Sequence, residues 1–179
     1  MQQTPRTGSL EAIFALFKER GDMVDPGDGI NQLEHALQSA SLAGKECRGD
    51  ALIAACLLHD VGHMLEGVGG EHHEAVGAAW LSGSFPPAVT EPIRLHAEAK
   101  RYLLTREPNY RDQLAEASLM SLEFQGGLMS EEELNAFEAL PHHTSAVHLR
   151  RIDDQAKDPD AESPRLESWR MLLARLASS

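Results

Sequence analysis

Leu57-Leu58-His59-Asp60-Val61-Gly62-His63 constrains this chain more than any other segment. A His-Asp pair there ends the apolar run Ala51-Leu52-Ile53-Ala54-Ala55-Cys56. Two polar side chains at the end of an apolar helix carry a desolvation cost, and a bound cation is the usual compensation. Adjacent helix residues project about 100° apart, so the His and the Asp straddle two positions. The carboxylate has two oxygens with which to bridge two metal ions, whereas the imidazole binds one. The fold must then bring further ligands to this point from elsewhere in the chain.

The surrounding pattern predicts an all-α protein. Ser9-Leu10-Glu11-Ala12 reads as a capped helix start, with Ile13, Phe14, Leu16 and Phe17 forming an apolar face before Gly21. Leu33, Ala36, Leu37, Ala40 and Ala43 recur at helical spacing over about 31–47. Asp50 is expected to cap the helix that carries His59 and Asp60, and the glycines of 62–70 read as a loop. Further helices are predicted at about 73–81, 87–103, 116–123, 130–139, 144–157 and 166–177, and alternating strand-like runs are missing.

A length of 179 residues suits one compact domain. The formal net charge of −12 argues against a broad nucleic-acid surface, which needs a basic footprint. It leaves room for a small anionic substrate held by a few local cations. No apolar run approaches the roughly 18 residues of a membrane span. The first residues lack the apolar core of a secretory signal, so the expected compartment is the cytoplasm. Two cysteines, Cys47 and Cys56, make no disulfide framework and read as small packing residues.

Four more places offer metal ligands. His35 lies on a partly buried helix, His72 and His73 open a helix after the glycine-rich loop, His96 interrupts an apolar stretch, and Asp153 and Asp154 sit late in the chain. Each is weak evidence alone. The ordered set His…His-Asp…His…His…Asp has enough imidazoles and carboxylates for two metal sites sharing a bridge. Paired thiolates are missing, which excludes a zinc finger, and Asp60-Val61-Gly62 between His59 and His63 excludes the His-Glu-x-x-His protease motif.

These segments resemble the HD-domain superfamily, all-α metalloproteins named for such a His-Asp doublet. The resemblance is closer to its mixed-valent di-iron oxygenases that cleave carbon–phosphorus bonds, the PhnZ/TmpB group. It runs from about 28 to 157, within a domain taken as 1–179. It is carried by Gln32-Leu33-Glu34-His35-Ala36-Leu37-Gln38, the His59-Asp60 segment and His73-Glu74-Ala75-Val76-Gly77-Ala78. The stretch from Val89 to Leu103, Ser121-Leu122-Glu123-Phe124-Gln125-Gly126-Gly127, and the stretch from Leu149 to Lys157 extend it. By motif, the resemblance implies His35, His59, Asp60, His73, His96 and Asp153 as ligands of two iron ions, Fe(II) and Fe(III). Asp60 would bridge, His35, His59 and Asp153 would hold one iron, and His73 and His96 the other. His72 and Asp154 are the neighbouring alternatives. Dioxygen would be the co-substrate.

Helical spacing places His63 four residues after His59, Lys100 four after His96 and Arg150 three before Asp153. Such cationic donors near the metal pair suit a doubly charged phosphonate. The resemblance matches His63 and Lys100 to phosphonate-binding positions, adds Ser118, Gln125 and Arg150 as contacts, and makes Asp60, His63 and Lys100 the expected catalytic residues. Members acting on 2-amino-1-hydroxyethylphosphonate carry a Tyr and a Glu shortly before the first metal-binding His. Aligned from His35 without gaps, those positions are Asp25 and Asp28. A small carboxylate pair leaves room for a trimethylammonium, which cannot donate hydrogen bonds. The expected substrate is (R)-1-hydroxy-2-(trimethylammonio)ethylphosphonate, giving glycine betaine and phosphate, with the primary amine analogue as the alternative. Trp80, Tyr102 and Tyr110 are aromatic candidates for the cation. A metal-dependent phosphohydrolase and a non-catalytic nucleotide-binding HD module are the rival classes.

Overall fold

Ser9, Asn31 and Ser130 each turn a side-chain oxygen onto the backbone N–H three residues ahead, and a helix starts after each. At Asn31 and Ser130 the third residue is a Glu that reaches back to the cap N–H, closing reciprocal capping boxes. The computed structural model describes residues 8–24, 29–65, 72–114 and 116–177. Its helices are α1 (Leu10–Arg20), α2 (Gln32–Lys45), α3 (Asp50–Leu58), α4 (Val61–Met64), α5 (His73–Leu81), α6 (Pro87–Arg106), α7 (Glu116–Phe124), α8 (Glu131–Glu138), α9 (His143–Gln155) and α10 (Arg170–Leu176). Short 3-10 segments occupy Pro108–Gln113 and Leu166–Trp169. Among the described residues the sheet-like pairing is one bridge, Val24 to Asn31. The architecture is all-α.

α3 is apolar around its circumference, and Leu52 through Leu58 are all buried. A helix of that kind has to be surrounded. Accordingly α2, α6, α9 and α10 pack on it, and α6 also runs against α5 and α9. The main core joins Ile13 and Phe17 of α1, Ala40 of α2, Leu57 and Leu58 of α3, Val61 of α4, Ile93 of α6 and Ile152 of α9. Each such Val, Leu, Ile or Phe side chain contributes about 1.5–3 kcal/mol on burial. Two smaller clusters flank α6, one with Leu134 and Phe137 of α8, the other with Leu103, Leu104, Tyr110 and Leu122.

One close approach sets the geometry of the centre. A Cβ on Gly62 would collide with the carbonyl oxygen of His73, and one on Gly77 would sit 3.2 Å from the Gly62 nitrogen. With both side chains absent, α4 and α5 cross backbone to backbone, and Asp60 comes to lie beside His73.

The structure corrects several expectations. Gly49, not Asp50, is the cap of α3, and the Asp50 carboxylate instead accepts from Arg175 at 2.9 Å. The chain is helical at 61–64, although a loop was expected from Gly62, because that glycine serves close packing on the His73 backbone rather than a turn. The predicted C-terminal helix divides into a 3-10 turn and α10. The 3-10 segment at Pro108–Gln113 has no counterpart in the periodicity. Cys56 is buried as a packing residue, but Cys47 is exposed. No described helix is long and apolar enough to cross a membrane.

Candidate metal centre

Four helices and one interhelical corner deliver the ligand-type side chains. His35 comes from α2, His59 and Asp60 from the corner between α3 and α4, His73 from the first residue of α5, His96 from α6 and Asp153 from α9. They converge as two groups, His35–His59–Asp153 and Asp60–His73–His96, with one ligand atom per residue and all atoms of a group within 4.8 Å of one another. Asp60 links the groups. Its Oδ2 lies 3.2 Å from His59 Nε2 and 3.4 Å from His35 Nε2, and its Oδ1 lies 3.3 Å from His73 Nε2 and 3.8 Å from His96 Nε2.

The donor chemistry fits metal ions. The Nδ1 atoms of His35, His59 and His96 donate to the carbonyls of Ala156, Cys56 and Ile93, at 2.8, 2.8 and 2.7 Å. A carbonyl only accepts, so Nδ1 carries a proton, and each ring in its neutral form presents a lone pair at Nε2. Those lone pairs face one another: His35 and His59 Nε2 are 3.1 Å apart, as are His73 and His96 Nε2. Carboxylate oxygens crowd the same space. Converging acceptors repel unless a cation lies between them, and backbone carbonyls behind the rings are the usual orienting partners of metal-bound histidines.

In the metal-free protein a proton takes part of the cation's place. Burial opposes charge on His59, but Asp60 and Asp153 overcome it and raise the imidazole to about 10. Burial, together with the neighbouring His73 and His59, pushes His96 down to about 3. Burial also opposes ionisation of Asp60 and Asp153. His59 holds Asp60 well below the usual carboxylate range, and Arg150 does the same for Asp153.

The substrate-side expectations divide. His63 stacks on the His73 ring with centroids 3.8 Å apart. Lys100 is buried, and its Nζ donates to the Ser118 carbonyl at 3.0 Å and to Ser121 Oγ at 2.7 Å. Burial, and then the Arg150 charge, pull it down to about 8. Ser118 thus meets Lys100 through its backbone. Gln125 Oε1 is buried without a hydrogen-bond partner. Arg150 is committed elsewhere: its Nη1 donates to Asp153 Oδ2 at 2.8 Å and its Nη2 to Asp154. Asp25 and Asp28 lie outside the described residues.

The alternative ligands separate cleanly. His72 is largely exposed, while Asp154 pairs with Arg150 and accepts from the Tyr110 hydroxyl. Of the aromatic candidates, Trp80 joins the main core, Tyr102 donates to Glu138 and Tyr110 to Asp154. Sequence reasoning passed over Ser121, and it named Asp154 and Tyr110 for other roles, an alternative ligand and a cation contact, rather than as partners of Arg150 and of each other. The i,i+4 spacing of Arg150 and Asp154 was the available signal for the pair.

An HD-domain family profile matches residues 33–123. A 1-hydroxy-2-(trimethylamino)ethylphosphonate dioxygenase (glycine-betaine-forming) of Leisingera caerulea is 36% identical over 89% of this chain and 85% of its own length. A hydroxymethylphosphonate dioxygenase of Gimesia maris is 42% identical over 89% of this chain and 84% of its own. An uncharacterized protein of Acanthamoeba polyphaga mimivirus is 32% identical over 95% of this chain and 82% of its own.

Proposed function

The chain belongs to the HD-domain family together with these phosphonate dioxygenases, and we propose that it is an oxygenase that uses O2 to cleave the carbon–phosphorus bond of a 1-hydroxyphosphonate. The observation that carries this reading is the sharing of Asp60, one carboxylate oxygen to each pair of histidines. His35, His59 and Asp153 would hold one iron and His73 and His96 the other, with Asp60 between them. Two bound iron ions supply the dioxygen chemistry that amino-acid side chains lack.

The rest of the work falls to the chain's own groups. Lys100 brings a buried ammonium one helical turn from His96, where a phosphonate oxygen would replace Ser118 and Ser121 as its acceptor. His63, stacked on His73, would donate to the same phosphonate, and Gln125 would offer a neutral contact. Arg150 acts on the substrate side only as a nearby positive charge, since Asp153 and Asp154 occupy its fork. Asp25 and Asp28 would attract a substrate cation.

The atoms balance as R–CH(OH)–phosphonate plus O2 giving R–COOH plus phosphate. With a trimethylammoniomethyl group as R the acid is glycine betaine, which is the first reading of the substrate. With an aminomethyl group it is glycine. The 42% identity to the hydroxymethylphosphonate enzyme favours a second reading, R as hydrogen, which gives formate.

The test loads the protein with iron anaerobically, offers each of the three phosphonates separately and then admits oxygen. The expected result is one phosphate released per O2 consumed, fastest with the trimethylated substrate. Phosphate release without oxygen would return the chain to the hydrolases. Preference for hydroxymethylphosphonate would remove the role given to Asp25 and Asp28.

A further inference from the structure

Asp153 is held from behind as well as from in front. Its Oδ1 faces His35 Nε2 at 3.2 Å and His59 Nε2 at 3.7 Å, while its Oδ2 accepts from Arg150 Nη1 at 2.8 Å. The chain of contacts goes further. Arg150 Nη2 donates to Asp154 Oδ1, and Asp154 Oδ2 accepts from the Tyr110 hydroxyl. Arg150 Nε lies 3.4 Å from that same hydroxyl oxygen, which closes a ring of three side chains. Tyr110 stands in the 3-10 segment after α6, 1% exposed, its ring packed among Leu103, Leu104 and Leu122. Its one polar atom therefore ends a buried, charged relay whose other end is a candidate metal ligand.

We infer that Tyr110 is a positioning residue for the His35–His59–Asp153 group, acting through Asp154 and Arg150 to keep the Asp153 carboxylate presenting one oxygen to the histidines. The inference rests on reading that group as metal ligands. A guanidinium fork binds best when both of its arms are fixed. With the hydroxyl gone, Asp154 keeps a single partner and the fork is free to pivot. Asp153 Oδ2 then loses its fixed donor, and the carboxylate rotates towards a two-oxygen presentation. Burial pushes the Tyr110 phenol up, so it stays a donor throughout the neutral range.

The experiment titrates the metal-free protein with Mn(II), read by calorimetry and by the Mn(II) EPR spectrum. Tyr110→Phe is compared with wild type, Asp154→Asn and Leu104→Ala, the last loosening the same small cluster without touching the relay. The expected result is a 10–100-fold weakening of one of two sites in Tyr110→Phe and Asp154→Asn, the range usual for partners standing behind a ligand. The other site stays as in wild type, and Leu104→Ala lowers the melting temperature with both affinities unchanged. In a His96→Gln background, which leaves the first group alone, Tyr110→Phe should still weaken binding. In an Asp153→Asn background it should add nothing. Equal Mn(II) affinities in Tyr110→Phe and wild type would overturn the inference, as would an equal weakening by Leu104→Ala. A wild-type protein that binds no Mn(II) would instead overturn the metal reading itself, and the inference with it.

Discussion

The two ligand groups share Asp60 but differ in what stands behind them. In the first, His35 and His59 lean on backbone carbonyls and Asp153 on the Arg150 guanidinium, and the three side chains are 6%, 1% and 8% exposed. In the second, His96 leans on the Ile93 carbonyl, whereas His73 has the Glu74 carboxylate 3.5 Å from its Nδ1 and the His63 ring against its face. Asp60 and His73 are also the more open pair, at 16% and 11%. Charge follows the same division. Asp60 and Asp153 overcome burial to raise His59 in the first group, while burial and then the neighbouring His73 and His59 drive His96 down in the second. Position around a common carboxylate does not make two sites equivalent. What lies around each histidine, carboxylates in one group and further imidazoles in the other, sets its charge in the metal-free fold.

The largest expected effect comes from removing what the groups share. Asp60→Ala should lose both metal equivalents and slow turnover by well over about a hundred-fold, because losing even an outer partner of a ligand costs 10–100-fold. Metal analysis of the purified protein checks this, and retention of two equivalents would break the comparison at its root. Asp153→Asn and His96→Gln should each lose one equivalent, from different groups. If either variant loses both, the groups are a single unit.

Lys100→Met sharpens the substrate side. It should raise KM for the phosphonate by about ten-fold or more, the loss of one charge-assisted hydrogen bond. In the wild type, Lys100 is charged below about pH 8 and neutral above it, so kcat/KM should fall as pH rises through 8. That limb should be missing from the Lys100→Met profile.

A smaller effect separates the groups in the metal-free fold. His59, raised above 6.5, stabilises fully below pH 6.5, and that contribution is lost as pH climbs through about 10. His96, depressed below 6.5, works in the opposite sense: stability falls as pH drops from 6.5 towards 3. The melting temperature of metal-free protein should therefore peak near pH 6.5, and metal should abolish the alkaline decline. Smallest of all, Ser130→Ala removes a cap remote from both groups and should cost about 1 kcal/mol, equally with and without metal.

The helices were legible where the signal is local. Ser9, Asn31 and Ser130 announce their helices by side-chain caps, and His73 opens α5 where the pattern after the glycines resumes. Asp50 misled because an acidic residue favours the first turn as well as the cap, and Gly49 took the cap with extended backbone. The six residues that converge could be nominated from their order and residue types. What stands behind them could not. Tyr110 is 44 residues from Asp154, and no periodicity links a 3-10 turn to a helix so far along the chain. Arg150 shows the same limit: spacing puts it one turn from Asp153 without revealing that Asp154 holds its other arm.

The hydrogen bond from His35 Nδ1 to the Ala156 carbonyl spans 121 residues of chain. It ties the second helix to the residue that follows α9, at the same place where ligands from α2 and α9 meet. A cation held there acts as a clasp on a long loop, lowering the entropy of the open chain as well as filling a coordination sphere. The metal-free protein should therefore melt at a lower temperature than the metal-bound one.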